Sequence, residues 1–208
     1  MLTVATVIVV AALAAAGCGG GEKPGKPAAA VGTIGCAATN GVAHRTRETS
    51  AGLALGAVDA TASGAAMAGT RTGDIAPNFR LETTCGETVT LEELRGRPVL
   101  INFWATWCGP CRAEMPELQR LHELLGDKLV VLAVDVDESP AQVAAFAKEM
   151  GVTFTMVVDR GTKVFERYRL LGLPSTYVVD AQGVTRAIRV GAFANAKEIA
   201  EVIREVGL

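Results

Sequence analysis

The chain has 208 residues, 50% hydrophobic and 20% charged, which suits a globular protein with one full core and no internal repeat. Its formal net charge is −2 at pH 7, from 20 basic and 22 acidic side chains without a basic block, so nucleic acid and an anionic membrane surface are not expected as partners. There are five cysteines, and an odd number requires an explanation in a protein that leaves the cytosol, because oxidising compartments pair thiols.

Residues Met1 to Ala16 are apolar and uncharged. That is about the length of a signal-peptide core and short of the ~20 residues a membrane span needs, so residues 1–17 read as an export signal. Small residues then lead into Gly17-Cys18, a junction that resembles the lipobox of bacterial lipoproteins, with Ala15 where leucine is usual and no basic n-region. Lipidation of Cys18, cleavage after Ala14-Ala15-Ala16 and retention as an uncleaved anchor are the three outcomes this segment allows. Residues 18–73 are rich in Gly, Ala, Thr, Pro and Ser, a composition that buries too little surface to offset its ordering entropy, and they read as a tether carrying Cys36. A loose helix over Ala51 to Ala68 is the alternative there, opposed by Gly52, Gly56 and Gly64.

The folded domain is expected over residues 74–208. Phe79 to Thr83 and Glu87 to Leu91 read as a hairpin across Cys85-Gly86, and Leu91 to Leu94 as one helical turn closed by Gly96. Val99 to Trp104, apolar except for Asn102, suits a strand buried on both faces. Met115, Leu118, Leu121, His122 and Leu125 recur at helical spacing, with Pro116 predicting a kink. Strand Lys128 to Asp135, helix Pro140 to Met150, strand Thr153 to Val158 and a short helix from Gly161 to Leu171 follow. Two antiparallel strands, Tyr177 to Asp180 and Val184 to Val190, precede a closing helix whose apolar stripe is Ile199, Val202, Ile203 and Val206. Strands alternating with helices predict an α/β fold with a mainly parallel sheet and helices on both faces.

The chemistry concentrates at Trp107-Cys108-Gly109-Pro110-Cys111, after the buried strand and at the first turn of the next helix. Unpaired backbone N–H groups and the helix dipole favour a thiolate on Cys108 there. Two intervening residues let Cys111 reach a mixed disulfide formed by Cys108, so the first cysteine attacks and the second resolves. Gly109 leaves room for a partner chain and Pro110 is tolerated in a first helical turn. A zinc half-site would want a second Cys or His pair, but His44 and His122 lie far apart in unlike contexts. Covalent haem would want histidine where Arg112 stands, and a purely structural disulfide explains neither the placement nor the flanking tryptophans. No cofactor beyond the cysteine couple and no metal are expected.

Val99 to Pro116, Val-Leu-Ile-Asn-Phe-Trp-Ala-Thr-Trp-Cys-Gly-Pro-Cys-Arg-Ala-Glu-Met-Pro, closely resembles the active-site segment of the TlpA/ResA-like branch of the thioredoxin superfamily. The likeness extends from Ala76-Pro77-Asn78-Phe79 through Leu94 to Pro98 and Gly172-Leu173-Pro174-Ser175-Thr176 to the C-terminal helix. It implies a thioredoxin-like fold, a central mixed sheet flanked by helices, with an N-terminal β-hairpin and a central helix–strand insertion between about Pro140 and Val158. It also implies that Pro174 is the cis-proline of the fold, and that Leu173 and Pro174, with Trp107, Gly109 and Pro110, meet the substrate. Glu114 matches an acidic residue of ResA-like proteins, one helical turn from Cys111, where a carboxylate can exchange the resolving thiol's proton; a solvated surface glutamate is the alternative. Asn102 stands where ordinary thioredoxins have a buried aspartate.

The resemblance implies a membrane-tethered thiol–disulfide oxidoreductase of the bacterial cell envelope, on the extracytoplasmic or periplasmic side. Its expected partners are disulfides of exported proteins, such as apocytochrome c, with a membrane thiol reductase as electron donor. If Cys18 is lipidated and Cys108 pairs with Cys111, then Cys36 and Cys85 are left to staple the tether; free or intermolecular thiols are the alternative. Two rivals remain. Asp74 to Phe79 and Leu94 to Pro98 also occur in peroxiredoxin relatives, which use a lone peroxidatic cysteine rather than this close pair. A copper-delivery module would want wider cysteine spacing and a later histidine.

Overall fold

The computed structural model describes residues 69–208; the export signal, Cys18, the tether up to residue 68, its alternative helix and Cys36 lie outside them. A seven-stranded sheet forms the centre, in the order β2-β1-β5-β4-β3-β6-β7. β1 (Arg80–Thr83) and β2 (Thr88–Thr90) make the expected hairpin, and a 3-10 turn at Leu91–Leu94 follows. β3 (Val99–Trp104) pairs in parallel with β4 (Val130–Val136), which pairs in parallel with β5 (Thr155–Asp159). β6 (Ser175–Val179) lies antiparallel to β3, and β7 (Thr185–Val190) antiparallel to β6.

Helical alternation alone therefore overstated the parallel character. Parallel pairing is confined to β3, β4 and β5, because only α1 (Gly109–Leu125) and α2 (Pro140–Met150) act as crossovers between parallel neighbours. The hairpin β1–β2 joins the far edge of β5 antiparallel, which makes the sheet mixed. The predicted helix from Gly161 to Leu171 is also shorter, only α3 (Lys163–Arg167), since Thr162 and Arg169 on either side adopt positive φ and break the helical path.

Every residue of β3 is buried. Alternation puts Leu100 and Trp104 in one core with Met115, Leu118, Val143, Phe146, Ile199 and Ile203, beneath α1, α2 and α4 (Ala196–Ile203). Val99, Ile101 and Phe103 point the other way, into a core closed by Leu91, Leu94, Val164 and Tyr168 from the 3-10 turn, α3 and the segment beyond it. Truncating a fully buried residue such as Leu100 to alanine would cost about 2–5 kcal/mol, which is why this strand is a rigid mount for the loop at its end. α2 is fixed at its start by a capping box, in which Ser139 and Gln142 satisfy each other's backbone amides, and it ends at Gly151 in the left-handed conformation. Among the described residues no helix is long and apolar enough to cross a membrane.

Candidate active site

The cysteines sit where β3 gives way to α1. Cys108 is the N-cap of α1, its sulfur 3.2 Å from the amide of Cys111, which donates to it, and Pro110 occupies the first turn. Cys108 and Cys111 are joined as a disulfide with Cα atoms 5.2 Å apart. Cys111 is wholly buried, whereas Cys108 lies at the rim of an open groove of about 440 Å³. That asymmetry suits a first sulfur that meets a partner and a second that acts from below.

The groove is lined by Trp107, Cys108, Gly109 and Pro110 on one side and by Gly172, Leu173, Phe165 and Val136 on the other. The Leu173–Pro174 bond is cis, as the resemblance implied, and Leu173 shares the groove with the cysteine turn. Trp107 is 70% exposed and Leu171 96%, a large cost in unburied apolar surface unless a partner covers it. Phe165 and Val136 were not expected in the site. Phe165 lies in a helix too short to show a period, and Val136 ends an apolar strand in which nothing distinguishes it.

Glu114 faces inward from α1, with no exposed surface, so it is not a solvated surface glutamate. Its Oε1 accepts from Asn102 Nδ2 at 2.9 Å, and its Oε2 accepts from the Phe193 amide at 2.9 Å. Asn102 Nδ2 also donates to Thr176 Oγ1 at 3.1 Å, tying β3 and β6 beneath the cysteine helix. Burial pushes the Glu114 carboxyl above the ordinary carboxylate range, against the opposing pull of the Phe193 amide, the Asn102 amide and the Arg189 charge. Each carboxylate oxygen has a second lone pair, so the group can still accept a proton from a thiol one turn away. Phe193 and Arg189 were missed by sequence reasoning, since a backbone donor in the loop before α4 carries no residue signature and an arginine in β7 shows no sequence link to Glu114 in α1.

Cys85, in the turn between β1 and β2, is disulfide-bonded; the Cys36 expected to pair with it lies outside the described residues. Among the described residues no group of three or more His, Cys, Asp or Glu side chains is arranged to hold a metal ion.

Comparison with known proteins agrees with this geometry. The AhpC/TSA family matches residues 72–188. Thioredoxin-like protein YneN of Bacillus subtilis is 41% identical over 126 residues, covering 59% of this chain and 74% of its own length. Thiol-disulfide oxidoreductase ResA of Geobacillus kaustophilus is 38% identical over 120 residues, covering 57% and 69%. A crystal structure described as a candidate thiol:disulfide interchange protein DsbE from Chlorobium tepidum superposes with a TM-score of 0.61 at 28% identity, covering 67% of this chain and all of that one. With the thioredoxin-like sheet, the paired cysteines at the start of α1 and these relatives together, the chain belongs to the AhpC/TSA family of the thioredoxin superfamily, as a ResA-like thiol–disulfide oxidoreductase.

Proposed function

We propose that this protein is an exported, membrane-tethered reductase of disulfides in other exported proteins. The cycle begins with the reduced pair. The Cys108 thiolate attacks one sulfur of a substrate disulfide, that S–S bond breaks, and the departing sulfur leaves as a thiolate that takes a proton from solvent. Cys111 then gives its proton to the Glu114 carboxylate and attacks Cys108 Sγ. The bond between Cys108 Sγ and the second substrate sulfur breaks as the Cys108–Cys111 disulfide forms, that sulfur leaves as a thiolate that takes a proton from solvent, and the two electrons have passed from the pair to the substrate.

The observation that carries this reading is the complete burial of Cys111 and Glu114 one helical turn apart, beneath a Cys108 that borders an open groove. Burial raises the Glu114 carboxyl, which makes it a stronger proton acceptor for the resolving thiol than an ordinary exposed glutamate. The apolar lips, Trp107 and Leu173, favour an extended peptide carrying its cysteine between apolar neighbours.

The apolar N-terminal segment and Cys18 support export and tethering, and the ResA-like resemblance supports exported disulfides, for example those of apocytochrome c, as substrates and a membrane thiol reductase as donor. The redox potential of the Cys108–Cys111 couple tests the direction. A value near thioredoxin's, about −270 mV, fits a reductase, and one near that of DsbA, about −120 mV, contradicts it.

A further inference from the structure

An acidic pair at the C-terminal end of β4 takes no part in the cycle above. Asp135 is fully buried, and its Cα pairs with that of Trp104 in β3, which puts its side chain on the α1 face of the sheet. The Glu138 amide donates to Asp135 Oδ1 at 3.0 Å, and the capping box of α2 begins at the next residue, so the backbone here is fixed at both ends. Glu138 accepts both donors of one residue in the loop ahead of the nucleophile. The Thr106 amide reaches its Oε2 and the Thr106 hydroxyl its Oε1, each at 2.5 Å. From the other side, Arg112 Nη1 donates to the Thr106 carbonyl at 3.4 Å, while the same guanidinium pairs with Glu149 at 3.0 Å and stacks on Phe146.

We propose that Glu138 and Asp135 are positioning residues for the nucleophile: the Glu138 carboxylate clamps Thr106, two residues before Cys108, and a proton held on Asp135 keeps a second negative charge out of that cradle. Asp135 Oδ2 is buried without a hydrogen-bond partner, a setting that disfavours a charged carboxylate and suits a protonated oxygen. Burial, and then Glu138, push the Asp135 carboxyl up to about 8. Burial opposes the charge on Glu138 too, but Asp135 and the bonds from the Thr106 hydroxyl and amide outweigh it and hold that carboxyl below its ordinary range. At neutral pH the pair thus carries one charge.

The other charged groups around it leave that balance in place. Asp137, in the same loop, accepts the Gly161 amide and adds repulsion. Arg112 of α1 is engaged by Glu149 of α2. From β3 the neighbour is the Trp104 indole, which is neutral. Ionising Asp135 therefore adds negative charge behind the Thr106–Cys108 turn, and that disfavours the Cys108 thiolate.

The inference rests on Cys108 being the attacking thiol, and alkylation of Cys108 by iodoacetamide, followed by mass spectrometry in the full chain carrying Cys111→Ser, tests the two separately. If Cys108 there is not alkylated faster than an ordinary thiol at neutral pH, the nucleophile assignment and this inference both fail. With the assignment intact, the rate is expected to depend on two ionisations, the thiol and a second group near pH 8 that damps the rise. Asp135→Asn is expected to leave a single ionisation, and an unchanged two-step profile would overturn the role of its proton. Glu138→Ala is expected to slow Cys108 about tenfold at pH 7, with Glu138→Gln, which keeps an oxygen for Thr106, recovering most of that loss. An unaltered rate in Glu138→Ala, or no recovery in Glu138→Gln, would overturn the clamp. Glu138 is only part-buried, so its variants decide the matter even if Asp135→Asn does not fold.

Discussion

Oε1 of Glu114 lies 2.9 Å from Nδ2 of Asn102, and this hydrogen bond joins the cysteine helix to β3. An amide donor supports the charged form of the carboxyl, while complete burial opposes it, and burial is the larger effect. The carboxyl is thereby poised to exchange a proton, although it is paired with a side chain that cannot itself titrate.

Replacing Glu114 by glutamine removes the proton acceptor and nearly preserves the volume. Turnover in dithiol-driven insulin reduction is expected to fall about 10- to 100-fold, while the rate of Cys108 alkylation changes little, because only the resolving step needs the carboxylate. The stability effect has a definite sign. A carboxyl whose folded-state pKa is raised binds its proton more tightly when folded, so it contributes stability at acid pH that is lost as pH rises from its ordinary value of 4.5 through the folded value. Glu114→Gln should lack that loss, and chemical denaturation at several pH values reads the difference. Unchanged insulin turnover would remove Glu114 from the mechanism.

Asn102→Asp would place a second carboxyl against Glu114 in a site without exposed surface. Two carboxylates cannot both ionise there, so the pair would titrate as a coupled unit with one proton held well above the usual range. The variant is expected to lose about 2–4 kcal/mol of stability at pH 8 and far less at pH 5, measured by guanidinium unfolding.

Protonation is linked to stability at the end of β4 as well. The Asp135 carboxyl rises from its ordinary 3.8 to about 8, so the wild-type protein should lose stability as pH increases across that interval, with a slope of up to about 1.4 kcal/mol per pH unit from this group. Asp135→Asn should flatten the slope. A thermal midpoint that falls equally with pH in both proteins would place the sensitivity elsewhere.

Several of these relationships were visible before the structure and several were not. Residues 99–104 read as a buried strand because the run is too short for a helix, follows Pro98 and is rich in β-branched and aromatic residues, and the cysteine pair after it needed only the strand-to-helix placement to be read as redox chemistry. The cis bond before Pro174 came from family resemblance, since spacing alone indicates no more than a turn. Whether Glu114 faced water or the core depended on how α1 rolls onto the sheet, which a helix containing Pro116 does not disclose. Asp135 was read as the end of an apolar strand. Glu138, which links it to Thr106, lies 32 residues from Thr106 in sequence, and the register of β3 on β4 brings the two loops together.

Trp107 offers a separate test of the groove. Because it is 70% exposed, Trp107→Ala should change stability by no more than about 0.5 kcal/mol. It should nevertheless lower kcat/KM for a protein disulfide about tenfold, mostly through KM, while a small disulfide that never reaches the groove walls is reduced at nearly the wild-type rate. Equal losses for both substrates would assign Trp107 to the cysteine turn itself rather than to partner docking.

The central claim, attack by Cys108 and resolution by Cys111, is tested most directly by insulin reduction and adduct trapping in the two serine variants. Cys111→Ser is expected to accumulate a mixed disulfide through Cys108 with a protein substrate, and Cys108→Ser to form none and to lose dithiol-dependent insulin reduction. A Cys108→Ser protein that reduced insulin at the wild-type rate would contradict the account.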